Sequence, residues 1–324
     1  SPDAPTACAA VSPRAGPRTG FDGLAISVAT KAMMKNLDEP FDAILITGPT
    51  ASGKSALALR LAREHGGVVI NADSMQVYDT LQVLTARPSL EEMEGMPHYL
   101  YGHVPANALY STGEWLRDIT SRLDEVRGKG QLPVIVGGTG LYFKALTGGL
   151  SDMPAIPADI REGYRQRLLD EGSAALYREL EARDPEMAGT LMPTDGQRIV
   201  RALEVFETTG QSIRSFQTAT GPMIVNPDRA RKIVVLPERS VLHDRINRRF
   251  AGMMQSGAVE EVKALLALAL PADSTAMRAI GVSQIAEMLD GRMSEAEVIE
   301  KAAAATRQYA KRQMTWFRNQ MGPD

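Results

Sequence analysis

Residues 48–55 read GPTASGKS, and this stretch constrains the fold more than any other in the chain. It fits the eight-position pattern Gly48-x-x-x-x-Gly53-Lys54-Ser55, and its flanks fit as well. Ala43-Ile44-Leu45-Ile46-Thr47, just before it, is a short apolar run that suits a buried parallel strand. Ala56 to His65, just after it, carries Leu57, Ala58 and Leu61 at helical spacing and stops at Gly66-Gly67. A strand that passes through a glycine loop into a helix turns backbone N–H groups inward around phosphate oxygens, with the positive end of the helix behind them. Gly48, Pro49, Thr50, Ala51, Ser52, Gly53, Lys54 and Ser55 are therefore expected to hold a phosphorylated ligand. Lys54 supplies a mobile cation, and the Ser55 hydroxyl can ligate Mg²⁺. The helix dipole contributes no more than ~2 kcal/mol, so amides, lysine and metal must act together.

The flanking chain extends this unit. Val68-Val69-Ile70-Asn71 is a second strand, closing a βαβ unit, and Leu132-Pro133-Val134-Ile135-Val136 is a third that again runs into glycines. Lys232-Ile233-Val234-Val235-Leu236 reads as a further buried strand. Between them, residues 157–208 are charged, helical in pattern and free of strands. From Val241 to Arg318 the pattern is helical, with Leu242, Ile246, Phe250 and Met253 as one apolar stripe. The expected fold is α/β: a P-loop-type parallel sheet with helices on both faces, plus a helical insertion domain. The expected domains are a disordered leader over 1–40, a core over 41–153 and 228–324, and the insertion over 154–227. The leader assignment rests on the Pro, Ala, Gly and Ser content of SPDAPTACAAVSPRAGPRTG.

Composition bounds the partners. With 324 residues, 36 Lys and Arg against 39 Asp and Glu, the net charge is −3, so any nucleic-acid site has to be a local basic surface. The only cysteine, Cys8, excludes an intrachain disulfide framework and a cysteine zinc site. No run of about 18 apolar residues predicts a membrane span, and a monomeric cytoplasmic protein is the simplest expectation.

The loop alone points to ATP. An ATP hydrolase or kinase needs an apolar strand ending in an Asp that holds Mg²⁺, but the strand LPVIVGG ends in Gly137-Gly138-Thr139. The strand VVINADS carries Asp73 instead, two residues beyond its apolar part, where a side chain faces a ligand above the carboxyl edge of the sheet. On local sequence alone, the turn or cap reading of Asp73 is the favoured one.

GPTASGKS, NADSMQVYDTLQVLTARPS, PHYLYGHV, PVIVGGTGLYFKAL, DGQRIVRALEV and ATRQYAKRQMTWFR occur in this order. As a set they resemble the tRNA dimethylallyltransferases, also called tRNA isopentenyltransferases, over about residues 42–320. The resemblance implies transfer of the prenyl group of dimethylallyl diphosphate to N6 of adenosine 37 in tRNA. The loop would then hold a diphosphate leaving group, assisted by Mg²⁺. It implies Asp73 as general base, Thr139 as a hydroxyl near the reacting amine, and Arg245 as a candidate to complete the diphosphate clamp. It further implies tRNA contacts from Asp73, Ser74, Met75, Gln76 and Thr139, from Arg161, and from Gln197, Arg198, Ile199, Val200 and Arg201 behind an expected Asp195 N-cap. Arg278, Arg307, Lys311 and Arg312 complete that surface. Of the aromatics Tyr309, Trp316 and Phe317 among those last bases, at least one is expected in the core.

Two positions depart from the family pattern: Leu84, where glycine is usual, and Val282, where an aromatic is usual. Both put the RNA contacts near them in question. Three other readings share the loop: a small-molecule kinase using ATP, prenyl transfer to a free adenine nucleotide, and a non-catalytic RNA-binding protein. The missing strand-to-Asp pattern and the basic last helix argue against the kinase, the helical insertion and basic tail favour tRNA over a free nucleotide, and the RNA-binding reading predicts salt-sensitive tRNA binding with no diphosphate release.

Overall fold

A computed structural model describes residues 40–320 except 152, 218 and 219. The expected leader lies, but for residue 40, outside the described residues. Strands β1 (Ala43–Thr47), β2 (Gly67–Asn71), β3 (His98–Tyr99), β4 (Leu132–Gly137) and β5 (Ala230–Val234) form one parallel sheet in the order β3-β2-β4-β1-β5. The central strands are buried on both faces, which is why they read as unbroken apolar runs.

Alternate side chains serve the two faces. Ile44, Ile46, Val69, Val134 and Val136 pack under α1 (Lys54–Glu64) through Leu57, Ala58 and Leu61. Leu45, Val68, Ile70 and Ile135 pack under α2 (Thr112–Gly128) and α3 (Gly140–Leu146). Ser111 caps α2 in a reciprocal box with Glu114, and Trp115, Ile119, Leu123 and Val126 give it a buried stripe. The Trp115 indole N–H donates to the Asn71 carbonyl at 3.0 Å, tying α2 to the end of β2.

One strand differs from expectation. β5 covers Ala230–Val234, not Lys232–Leu236, and it is a half-buried edge strand with Lys232 exposed. The apolar run signalled a strand correctly. Its burial is lower because β1 pairs with only one side of it.

The insertion contains α4 (Ala158–Glu171), α5 (Ser173–Arg183) and α6 (Gly196–Thr209), with short helical turns at Pro185–Ala188 and Ile213–Gln217. These share a core of their own around Tyr164, Leu176, Leu180, Ile199 and Leu203. After β5 come α7 (Arg239–Gln255), α8 (Ala258–Ala267), a 3₁₀ turn at Ala276–Arg278, α9 (Val282–Leu289) and α10 (Glu295–Gln320). They pack with the segment after β2 in another cluster that includes Val77, Tyr78, Leu81, Leu84, Phe250, Val262 and Val298. The predicted stripe on α7 holds, with Leu242, Ile246 and Phe250 buried and Met253 partly so. A bidentate ion pair, Arg165 Nε and Nη2 to Asp273 at 2.7 and 2.9 Å, joins α4 to the turn before Arg278. Among the described residues, no helix is long and apolar enough to cross a membrane.

Candidate active site

The loop between β1 and α1 takes the shape its glycines permit. Gly53 has φ +92, a left-handed conformation that disfavours any side chain. A Cβ on Gly48 would lie 2.5 Å from the Val235 carbonyl oxygen. Ala51 is left-handed at φ +62, a conformation uncommon outside glycine. The Ser52 amide bonds the Pro49 carbonyl and the Thr50 amide bonds Gln313. The amides of Ala51, Gly53, Lys54 and Ser55 take no acceptor among the described residues, so they are open to an anion at the start of α1. Lys54 Nζ folds back to the Pro49 carbonyl at 3.2 Å. Burial lowers its pKa to about 8; Asp73 draws it back up and Arg249 pushes it further down. Ser55 is exposed in the first turn of α1.

Asp73 follows β2 in a turn fixed from several sides. Its amide donates to Asn71 Oδ1, and Asn71 Nδ2 donates to the Asp73 and Leu100 carbonyls. One carboxylate oxygen, Oδ1, accepts from the Met75 and Gln76 amides at 2.8 and 3.2 Å. The other takes no hydrogen bond from the described residues. The turn reading is borne out by Oδ1, and the second oxygen is left open.

Thr139 stands beside the Asp73 turn, with its hydroxyl committed to Ser74. Its hydroxyl accepts from the Ser74 amide at 2.9 Å and donates to Ser74 Oγ at 3.2 Å. It braces the turn that carries Asp73 and is not among the residues lining the cavity described next. The glycines around it let α10 come close. A Cβ on Gly138 would sit 2.3 Å from Gln313 Nε2, and one on Gly140 would sit 2.3 Å from the Trp316 ring. Gln313 bridges the two glycine loops, accepting from Thr50 N and donating to Gly138 O, each at 3.0 Å.

A cavity of about 360 Å³ opens above the carboxyl edge of the sheet. Thr50 and Ala51 of the loop form one wall and Asp73, Ser74 and Met75 another. Leu84, Ile246, Phe250, Met253 and Ile280 make an apolar end. Arg249, Arg278 and Arg312 face the single carboxylate Asp73, so the lining is cationic and suits an anionic ligand. Burial depresses the Arg249 pKa, and no hydrogen-bond acceptor among the described residues reaches its guanidinium. Tyr309 in the lining is held neutral, first by burial and then by Asp73.

Arg245, the expected clamp residue, lies one turn before Arg249 and reaches the Ser52 carbonyl at 3.5 Å. It touches the loop but does not line the cavity. Arg249 was missed because both arginines sit on the same face of α7 and spacing does not rank them.

Several expected RNA contacts need correction. Ile199 and Val200 are buried in the insertion core, because their helical phase points them inward. Gln197, Arg198 and Arg161 are exposed, while Arg201 bonds the buried Glu204 at 3.4 Å. Asp195 stands at the N-cap position of α6, but its carboxylate accepts from the Met192 amide and makes no cap bond. Gln76 donates to the Thr85 and Ala86 carbonyls, so its amide nitrogen is internally committed. Arg307 donates to Asn247 Oδ1. Lys311 and Arg312 are exposed and border a shallow groove with Trp316, while Phe317 is the aromatic that lies in the core. Leu84 and Val282 are both buried in one apolar cluster, where a Cβ on Gly281 would lie 2.8 Å from Leu84 Cδ2. They are packing residues, although Leu84 also borders the cavity.

A glycine loop, a carboxylate with one open oxygen and a cationic cavity thus meet at the carboxyl edge of a parallel sheet, where ligands bind in such folds. A family model described as IPP transferase matches residues 76–320. The tRNA dimethylallyltransferase of Agrobacterium fabrum (strain C58 / ATCC 33970) is 77% identical over 292 residues, covering 90% of this chain and 98% of that one. The tRNA dimethylallyltransferase of Rhizobium meliloti (strain 1021) is 66% identical over 289 residues, covering 89% and 95%. The full-length tRNA isopentenylpyrophosphate transferase of Bacillus halodurans matches in structure with a TM-score of 0.60 at 34% identity, covering 87% of this chain and 88% of that one. A eukaryotic dimethylallyltransferase solved acting on tRNA matches with a TM-score of 0.72 at 27% identity, covering 85% and 69%. The chain belongs to the IPP transferase family of tRNA dimethylallyltransferases.

Proposed function

We propose that this enzyme transfers the dimethylallyl group of dimethylallyl diphosphate to N6 of adenosine 37 in tRNA and releases diphosphate. The observation that carries the reading is the meeting of Asp73, the phosphate loop and Arg249 around one cationic cavity. The C1–O bond of the donor breaks and its electron pair leaves with the diphosphate. The open amides of the loop, Lys54 and Arg249 stabilise that growing charge. A bond forms from N6 to C1, and the N6 proton passes to the free oxygen of Asp73. The apolar end of the cavity at Leu84, Phe250 and Met253 suits the prenyl chain. The adenosine has to leave its stack to reach Asp73.

Mg²⁺ fits this site in one form. Ser55 offers a hard hydroxyl oxygen beside the open amides, and no cluster of three His, Cys, Asp or Glu occurs among the described residues. A Mg²⁺ held by Ser55 and by substrate oxygens matches that donor set, and it would supply charge neutralisation to the leaving group.

The test is incubation of undermodified tRNA with dimethylallyl diphosphate and Mg²⁺, followed by nucleoside mass analysis. The expected product is prenylated adenosine at position 37. A folded protein that yields none contradicts the proposal.

A further inference from the structure

Glu261 lies in the first turn of α8 and does not itself line the cavity. Its carboxylate accepts three consecutive backbone amides: Gln82 at 2.9 Å and Val83 at 2.6 Å on Oε1, and Leu84 at 3.1 Å on Oε2. Three N–H groups converging on one ionised acceptor form a backbone nest, filled here by a side chain of the same protein. The helix that presents it is anchored by Val262 and Leu265, both fully buried.

The loop gripped in this way leads directly to the site. Leu84, Thr85 and Ala86 border the cavity, and Ala86 is left-handed at φ +51. The Thr85 and Ala86 carbonyls accept the two bonds from Gln76 Nε2, at 2.9 and 3.1 Å. Gln76 in turn donates its own amide to Asp73 Oδ1. A continuous path therefore runs from Glu261 through the loop and Gln76 to the carboxylate proposed as base. We propose that Glu261 is a positioning residue for Asp73, clamping the 82–86 loop so that the free carboxylate oxygen keeps its aim on the reacting amine. This rests on the prenyl-transfer reading for its kinetic consequence, but the physical link does not.

Two measurements test it. Glu261→Gln keeps the side-chain size but turns an N–H₂ toward a backbone donor. Amide hydrogen exchange on the free protein is expected to quicken at Gln82–Leu84 and, through the path, at Met75 and Gln76. Faster exchange confined to Gln82–Leu84 overturns the link. In turnover, kcat is expected to fall by up to about 100-fold, the loss a misplacement near 1 Å can cause, with tRNA affinity unchanged. Gln76→Leu cuts the middle of the path and is expected to lower kcat similarly while leaving protection at Gln82–Leu84 intact. The double variant is expected to be no slower than the slower single variant; effects that multiply overturn the proposal. If Glu261→Gln does not fold, Gln76→Leu decides alone, and unchanged kcat overturns it. Coupled exchange in a protein without prenyl transfer would refute the reaction and leave the link standing.

Discussion

The choice between two arginines one helical turn apart is the sharpest consequence of the cavity. Arg249 faces it, desolvated and without an acceptor, in the electrostatic field of Lys54. Arg245 instead reaches the Ser52 carbonyl at 3.5 Å and does not line the cavity. An anion about 4 Å from Arg249 at an effective dielectric near 20 is attracted by about 4 kcal/mol, and deleting a hydrogen bond to a charged group costs ~1.5–3 kcal/mol. Taking ~3 kcal/mol, Arg249→Met should lower kcat/KM for the diphosphate donor by about 100-fold, and Arg245→Met by less than about tenfold. Arg249→Met also removes an unpaired half-buried charge, so its melting temperature should equal or exceed that of the wild type. The assay is steady-state turnover at saturating tRNA with the donor varied, alongside thermal unfolding of each variant. A larger loss in Arg245→Met than in Arg249→Met would refute the assignment of the clamp.

Other consequences follow from particular contacts. Asp73→Asn should abolish prenyl transfer while tRNA and donor still bind, measured by single-turnover kinetics and filter binding; near-wild-type turnover would remove Asp73 from the base role. Gln313→Leu leaves Thr50 N–H and Gly138 C=O without their partner, and at ~1–2 kcal/mol for each group the variant should lose about 2–4 kcal/mol in urea unfolding. Arg165 holds the Asp273 carboxyl below its ordinary range, chiefly through their hydrogen bonds. Because that folded pKa is depressed, the stabilisation is full above the unfolded value near 3.9 and disappears as pH falls through the folded one. Asp273→Asn should therefore cost about 1–2 kcal/mol at pH 7, with the gap to wild type closing on acidification in urea titrations.

The sheet was legible where the chain is most apolar. β1, β2 and β4 are unbroken apolar runs because they are buried on both faces, and the glycine loop follows from residue type and flanks. β3 has two residues, too few to show a period. Asp73 was legible by its place just past β2. The contacts that fix it were not, since Glu261 meets residues 177 to 179 positions away and Gln313 meets Thr50 across 263. Ile199 and Val200 are the opposite case. Their apolar phase in α6 already pointed inward, and treating the whole segment as RNA-facing overrode that signal. Thr139 carried the right location, but a hydroxyl has three bonding positions and sequence does not say which neighbour takes them.

The central claim is that the loop holds a leaving group and transfers no phosphoryl group. The most direct measurement is the stoichiometry of diphosphate released against prenylated adenosine formed in tRNA, with ATP offered in parallel as the alternative donor. One diphosphate per prenylated adenosine and no ADP from ATP are expected. ADP formation dependent on an acceptor, with no prenylated adenosine, would contradict it.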